Sequence, residues 1–365
     1  MSRIYNFNAG PATLPLEVLE EAQRQLIDFN GTGMSLLESS HRAKAYDAVH
    51  QEAIANLREL LNIPEDYAVL FLQGGASTQF SMVPMNLLPA DGCADYIDSG
   101  AWSHKAAKEA QKVGTVNIIG NTVKDIPTRM PDLESLRFTP GAAYVHMTSN
   151  ETIAGAQYKS FPETDAPLVA DMSSDILSRD FDITRFGLVY AGAQKNLGPS
   201  GVTLVIVKKD LVANAPESLP TMLRYQTHID GNSLYNTPPT FGIYILMLVT
   251  RWIKKVGKEN LFRQNVEKAA KLYDAMDASK GFFKGTAEKK CRSDMNVTFR
   301  ICPDGVTPNE DTEKKFIAEA TAAGFAGLKG HRSVGGLRAS IYNAFPVQGV
   351  DDLVSFMQDF QSKNA

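Results

Sequence analysis

A chain of 365 residues, 44% hydrophobic and 21% charged, can bury a large core and fold as about two domains at roughly 150 residues each. Its net charge of −4 gives no electrostatic footing for nucleic acid, though it leaves room for a local basic pocket that takes an anionic metabolite. The longest apolar run, Phe241 to Val249 around Gly242, falls far short of the roughly 20 residues that span a bilayer, and Met1 to Asn6 shows no signal-peptide core. Cys93, Cys291 and Cys302 lie far apart without CxxC spacing, so neither a zinc site nor a disulfide framework is expected and the cytoplasm is the default compartment.

In chain order, Asn8-Ala9-Gly10-Pro11-Ala12 is a loop. Leu16, Leu19, Ala22, Leu26 and Phe29 then have the spacing of one helical face, ended by Gly31-Thr32-Gly33. Glu38-Ser39-Ser40-His41-Arg42 leads into a second helix reaching about Leu61, with Ser39 or Ser40 as its cap. His41 and Arg42 would sit near a helix N-terminus, where anions bind, although unaided they read as a solvated basic pair. Tyr67 to Leu72 is a strand. Gln73-Gly74-Gly75-Ala76-Ser77-Thr78 after it opens a helix whose first N–H groups and Ser77 hydroxyl can hold a phosphate. No GK[ST] follows, so this is not a P-loop, and a tight turn would look the same. Ala94 to Ile97 is a strand with Trp102 just beyond it, a ring able to stack on a pyridine or simply to pack. Ala142 to Met147 is another, followed by Thr148-Ser149-Asn150-Glu151-Thr152-Ile153-Ala154-Gly155, where Thr152 offers its hydroxyl to a ligand or to its own backbone.

Leu168-Val169-Ala170 is a buried strand ending on Asp171. Gly187 to Ala193 is a second, ending on Gln194-Lys195, and Asn196 to Gly201 turns into a third, Val202 to Val207. In open α/β sheets, ligands bind beyond such strand ends. A lysine amine forms a Schiff base with pyridoxal phosphate, and a carboxylate keeps that cofactor's ring nitrogen protonated. A structural aspartate and a surface lysine at loop ends would give the same residues. Tyr235-Asn236-Thr237-Pro238-Pro239-Thr240 is a stiff turn before a helix capped by Thr240. Helix continues from about Phe241 to Met276 with a break near Gly257, joining a large domain to a smaller one. The smaller one reads as strand (Asn296 to Ile301), helix (Asp311 to Ala323, with Thr307 and Glu310 as a capping box), strand (Leu337 to Tyr342) and a last helix, Val350 to Phe360. Arg338 alternates onto the polar face of its strand, and Gly330-His331-Arg332 brings further cationic residues.

Ala193-Gln194-Lys195-Asn196-Leu197-Gly198-Pro199-Ser200-Gly201 resembles the lysine motif of the phosphoserine aminotransferases, class-V, fold-type I enzymes that use pyridoxal 5'-phosphate. The similarity runs from Asn8-Ala9-Gly10-Pro11-Ala12 to Arg338-Ala339-Ser340-Ile341-Tyr342-Asn343-Ala344, nearly the whole chain, with the separate motifs in order. It implies an α/β fold-type I transferase: a large domain, residues 15–258, with a mostly parallel seven-stranded sheet flanked by helices, and a smaller α/β domain made of 1–14 with 259–365. The resemblance further implies that Lys195 holds the cofactor aldehyde, Asp171 its ring nitrogen, Ala76 and Ser77 its phosphate, Trp102 its ring face and Thr152 its phenolic oxygen, with Gln194 alongside. Asn236 and Thr237 would reach the cofactor phosphate of the partner subunit, in a homodimer with shared active sites. His41, Arg42, His331 and Arg332 would form an adjustable cationic pocket for a phosphate or a γ-carboxylate. Arg338 would fork onto the substrate α-carboxylate, a geometry that suits guanidinium better than ammonium. Ala154 departs from the residues of some relatives, and His104 stands where many carry lysine or another polar residue; neither is assigned a role.

The activity implied is reversible transamination of O-phospho-L-serine with 2-oxoglutarate to 3-phosphooxypyruvate and L-glutamate, in serine biosynthesis, with phosphohydroxythreonine of pyridoxine biosynthesis as a further substrate. No metal is called for. Another class-V enzyme, such as an alanine–glyoxylate transaminase, would share Lys195 and Asp171 without needing His41, Arg42 and His331. A non-catalytic metabolite-binding protein would share the fold and bind no chromophore.

Overall fold

The computed structural model describes residues 3–365, so Met1 and Ser2 of the 1–14 segment expected in the smaller domain lie outside it. β1 (Tyr5–Asn6) precedes α1 (Leu16–Arg24) and α2 (Lys44–Leu61). The expected first helix stops early because local side chains compete for its backbone. Gln25 Oε1 accepts the Asn30 N–H at 2.7 Å, Asp28 Oδ1 accepts that of Gly33 at 2.8 Å, and Asn30 turns at φ +52°. Leu26 and Ile27, which a longer helix would have had to bury, are exposed. The cap expected for α2 is also corrected. Ala43 is its N-cap, and Ser40 Oγ instead accepts the Arg42 N–H at 3.2 Å, leaving His41 and Arg42 in a turn before the helix.

The main sheet is then laid down. β2 (Tyr67–Leu72) leads to α3 (Gly75–Leu87), β3 (Cys93–Asp98) to α4 (Ala101–Ala110), and β4 (Thr115–Asn121) follows. β5 (Val145–Thr148) is next, then a short hairpin of β6 (Asn150–Glu151) and β7 (Ala156–Gln157), then β8 (Leu168–Asp171), β9 (Phe186–Gly192) and β10 (Thr203–Lys208). These form a seven-stranded sheet in the order β2-β10-β9-β8-β5-β3-β4, in which only β10 runs against its neighbours. Both faces are covered, as a largely parallel sheet requires. Alternate residues of β2 go to opposite cores: Val69 and Phe71 pack with α1, α2 and α7 (Thr240–Val256), while Ala68 and Leu70 pack with α3 and α4. α5 (Lys209–Val212) and α6 (Tyr225–Asp230) lie between β10 and α7 in the chain.

Gly257, at φ +86°, breaks the long helical stretch into α7 and α8 (Lys258–Ala278). β11 (Phe283–Gly285), β12 (Asn296–Ile301), α9 (Glu310–Ala322), β13 (Phe325–Ala326), β14 (Leu337–Ser340) and α10 (Val347–Asn364) complete the chain. β11, β12 and β14 make an antiparallel sheet, and β1 pairs in parallel with β13. Phe7 accordingly packs in a second core with Phe299, Phe316 and Phe345. The capping box expected for α9 is replaced: Asn309 Oδ1 accepts the Thr312 N–H at 2.9 Å, while Thr307 gives its N–H to Asp304 at 2.7 Å. Lys268 of α8, buried and with no ion pair among the described residues, donates to the carbonyls of Ile341, Tyr342 and Phe345 at 3.0, 2.8 and 3.2 Å. That turn reaches the large sheet, because the Asn343 N–H donates to Asn196 Oδ1 at 3.0 Å, beside Lys195. No helix of the described residues is long and apolar enough to cross a membrane.

Candidate active site

β8 and β9 are parallel neighbours, and their ends bring Asp171 and Lys195 to one cavity of about 370 Å³. Ala76, Ser77, Trp102, Thr152 and Gln194 line the same cavity. Ala76 and Ser77 arrive there on the first turn of α3. Its entry demands glycine: Gly74 sits at φ +90°, where a Cβ would meet Thr78 Oγ1 at 1.9 Å, and Gly75 sits at φ +65°. The first N–H groups of a helix have no partner within it and carry its positive end, so this wall is suited to a phosphate.

Lys195 Nζ donates to Thr152 Oγ1 at 2.7 Å and lies 5.8 Å from the centre of the Trp102 ring. Burial pushes its ammonium down to about 8, against the pull of the Asp171 carboxylate and with help from the Arg338 charge. Part of the amine is therefore neutral near neutral pH and able to attack a carbonyl. Burial raises the Asp171 carboxyl, and the Ser173 N–H, donating to its Oδ1 at 2.9 Å, works the other way. The N-terminal loop closes the site on one side. The Ala12 N–H donates to the Gln194 carbonyl at 2.9 Å, and a Cβ on Gly10 would lie 3.4 Å from Lys195 Cγ.

A small recess is lined by Thr298, Gly330, His331, Leu337 and Arg338. Arg338 Nη1 donates to the Thr152 carbonyl at 3.4 Å, a long bond, and its Nε is buried with no partner among the described residues. Burial lowers both the Arg338 guanidinium and the His331 imidazole, and the latter is lowered further by the charges of Arg338, Arg332 and Lys105. Arg332 itself is exposed. His41, Arg42, Asn236 and Thr237 line neither the cavity nor the recess. Within one chain, then, His41 and Arg42 share no lining with His331. Their segment is anchored by Phe29 and Leu36 in the core of α2 and α7. Asn236 lies closer to the α3 entry, donating to Gln73 Oε1 at 3.1 Å, and Thr237 is exposed.

Several lining or supporting groups do not stand out in the sequence. Thr148 and Ser174 line the cavity, Thr148 Oγ1 being buried without a partner, and Glu151 sits fully buried behind it. The available signal was position: Thr148 to Thr152 follow directly on a strand end beside Asp171.

A helix N-terminus, a carboxylate and a perturbed lysine on one cavity define an enzyme of the Schiff-base-forming, α/β transferase kind. The family model described as aminotransferase class-V matches residues 4–353, and the chain belongs to that family. It is 56% identical over 366 residues, covering 100% of both chains, to the phosphoserine aminotransferase of Geobacillus kaustophilus. Among solved structures, that of phosphoserine aminotransferase from Bacillus circulans subsp. alkalophilus matches with a TM-score of 0.94 at 53% identity, over 100% of this chain and 99% of that one. The PLP-bound phosphoserine aminotransferase of Trichomonas vaginalis matches with a TM-score of 0.92 at 39% identity, over 98% of this chain and 100% of the other.

Proposed function

We propose that the protein is a pyridoxal-phosphate-dependent phosphoserine aminotransferase, exchanging the amino group of O-phospho-L-serine for the keto oxygen of 2-oxoglutarate. One observation carries the reading: Lys195 Nζ, Asp171 and the α3 N-terminus face a single cavity. The fit to the cofactor rests on the same groups, together with the unpartnered Thr148 hydroxyl. Pyridoxal phosphate supplies an aldehyde that accepts an amino group and a pyridine ring that takes up electrons released at the substrate Cα. Ser77, with the Ala76 and Ser77 N–H groups, would hold its phosphate. Trp102 would cover its ring, Thr152 would bond its phenolic oxygen, and Asp171 would keep its ring nitrogen charged. Lys195 Nζ would hold the aldehyde and, once freed by the amino substrate, would take the proton from the substrate Cα and deliver it to the former aldehyde carbon. Arg338, with its Nε unpaired, orients the α-carboxylate, and His331 with Arg332 meets the phosphate end. Replacing a glutamate γ-carboxylate by a phosphate asks those side chains only to adjust their reach.

We further propose a cytoplasmic homodimer in which each site is completed by the other chain. Ile27 (84% exposed), Leu37 (59%), Leu16, Leu26 and Met34 leave an apolar surface on the 16–37 segment, next to His41 and Arg42. Asn236 and Thr237 would reach the cofactor phosphate of the partner subunit. The division into residues 15–258 and 1–14 with 259–365 belongs to the same proposal, supported by the break at Gly257 and the β1–β13 pairing. A coupled assay with phosphoserine, phosphohydroxythreonine, alanine and serine as donors tests the substrate. Phosphoserine is expected to win by its kcat/KM, and a preference for alanine would favour another class-V activity. Mixing a Lys195→Ala chain with a Thr237→Asp chain tests the shared site. About half of randomly reassorted dimers carry one good site, so roughly a quarter of normal activity should return.

A further inference from the structure

Glu151 is fully buried, and among the described residues it forms no ion pair. Its two oxygens accept the first amides of α4 instead: Oε2 takes the Trp102 N–H at 3.1 Å and Oε1 the Ser103 N–H at 2.9 Å. Within α4, Ser103 Oγ accepts the Gly100 N–H at 2.8 Å, but the N-cap Gly100 has no side chain to meet the next amides, and a Cβ there would meet Glu151 Cδ at 2.5 Å. The carboxylate thus serves as the cap from a different element, held by the positive end of the helix. The next residue in the chain is Thr152, whose hydroxyl receives Lys195 Nζ. One residue therefore ties the backbone of Trp102 to the backbone of Thr152 through a buried side chain held by two hydrogen bonds.

We infer that Glu151 is a positioning residue for the cofactor pocket, fixing the Trp102 ring against the Lys195–Thr152 pair. The inference rests on the pyridoxal-phosphate reading above, because those groups flank the space that the cofactor ring would fill. Two acceptor oxygens are needed for two consecutive amides. A glutamine at this position keeps the volume but offers one acceptor, and sets an N–H₂ against the other amide. One helix amide is then unpaired in a dry site, and Trp102 loses its fixed height.

Trp102 can be observed alone, since the chain has 2 tryptophans and Trp252→Phe removes the other. In that background the apoprotein is titrated with pyridoxal phosphate, following Trp102 quenching well below the melting temperature. Glu151→Gln should raise the half-quenching concentration roughly tenfold, the scale of one lost hydrogen bond, and shift the Trp102 emission of the free protein. Gly100→Ala, which pushes the carboxylate aside without touching Trp102 or Thr152, should act in the same direction and carries the test if Glu151→Gln does not fold. An unchanged half-quenching concentration and emission in the folded variant would overturn the inference and leave Glu151 a simple helix cap. A background protein that neither quenches nor gains visible absorbance with pyridoxal phosphate would overturn the cofactor reading itself, and this inference with it.

Discussion

The floor of the site and its rim are built on different terms. Lys195, Asp171, Thr152 and Trp102 sit at the ends of sheet strands or the first turn of a helix and meet within one chain. His41, Arg42, Asn236, Thr237 and Arg332 sit on loops that do not line that cavity, and Arg42, Thr237 and Arg332 are exposed. Reaction chemistry needs groups fixed to a fraction of an ångström, which strand ends provide. Recognition of a substrate's far end must fit both a carboxylate and a phosphate, which suits longer side chains on loops. The floor should therefore set the rate for every substrate, and the rim should set the choice among them.

Breaking the floor should do the most damage. Lys195→Ala should end multiple-turnover transamination while leaving a folded protein that binds pyridoxal phosphate without covalent attachment; near-normal turnover would remove Lys195 from the mechanism. Asp171→Asn should still bind the cofactor but slow transamination by several orders of magnitude, each tenfold corresponding to about 1.4 kcal/mol of barrier. A loss of only a few-fold would point to a different ring-nitrogen partner. The rim should respond selectively. Arg42→Ala and His331→Ala should raise KM for phosphoserine by more than they affect small uncharged amino acids, whereas Arg338→Ala should weaken all α-amino acids alike. Equal losses across substrates in all three would erase the proposed division of roles. The smallest effect is one of pH. Capture of pyridoxal phosphate by the apoprotein needs the neutral amine of Lys195, whose ammonium is held down to about 8. The capture rate should rise about tenfold per pH unit up to that value and level off above it. A rate still climbing towards pH 10 would mean an unperturbed lysine.

The same contrast explains what the sequence could tell. The strands ending on Asp171 and beside Lys195 were legible because a short apolar run followed by a polar residue is a local signal, and Tyr67–Leu72 was found to the residue. β4 was missed, since Thr115–Asn121 mixes polar and apolar residues and is only partly buried at the sheet edge. The α2 cap was misassigned because Ser40 satisfies a turn amide before the helix begins, a competition that spacing does not reveal. Glu151 was invisible in its role because its partners are the backbone amides of residues far away in the chain. Side-chain types advertise ion pairs, and a carboxylate that binds only main chain advertises nothing. Arg42 and Thr237 carry their roles only through the resemblance, since one folded chain leaves both outside the cavity.

The most direct test of the floor and rim together is borohydride trapping of the holoenzyme, followed by peptide mapping, with and without excess phosphoserine in the absence of any oxo acid. The account predicts a cofactor-sized mass increment on Lys195 alone. It also predicts that phosphoserine, by consuming the attachment in a half-reaction, prevents the labelling at concentrations where serine does not. Labelling of a different lysine, or equal protection by serine and phosphoserine, would contradict it.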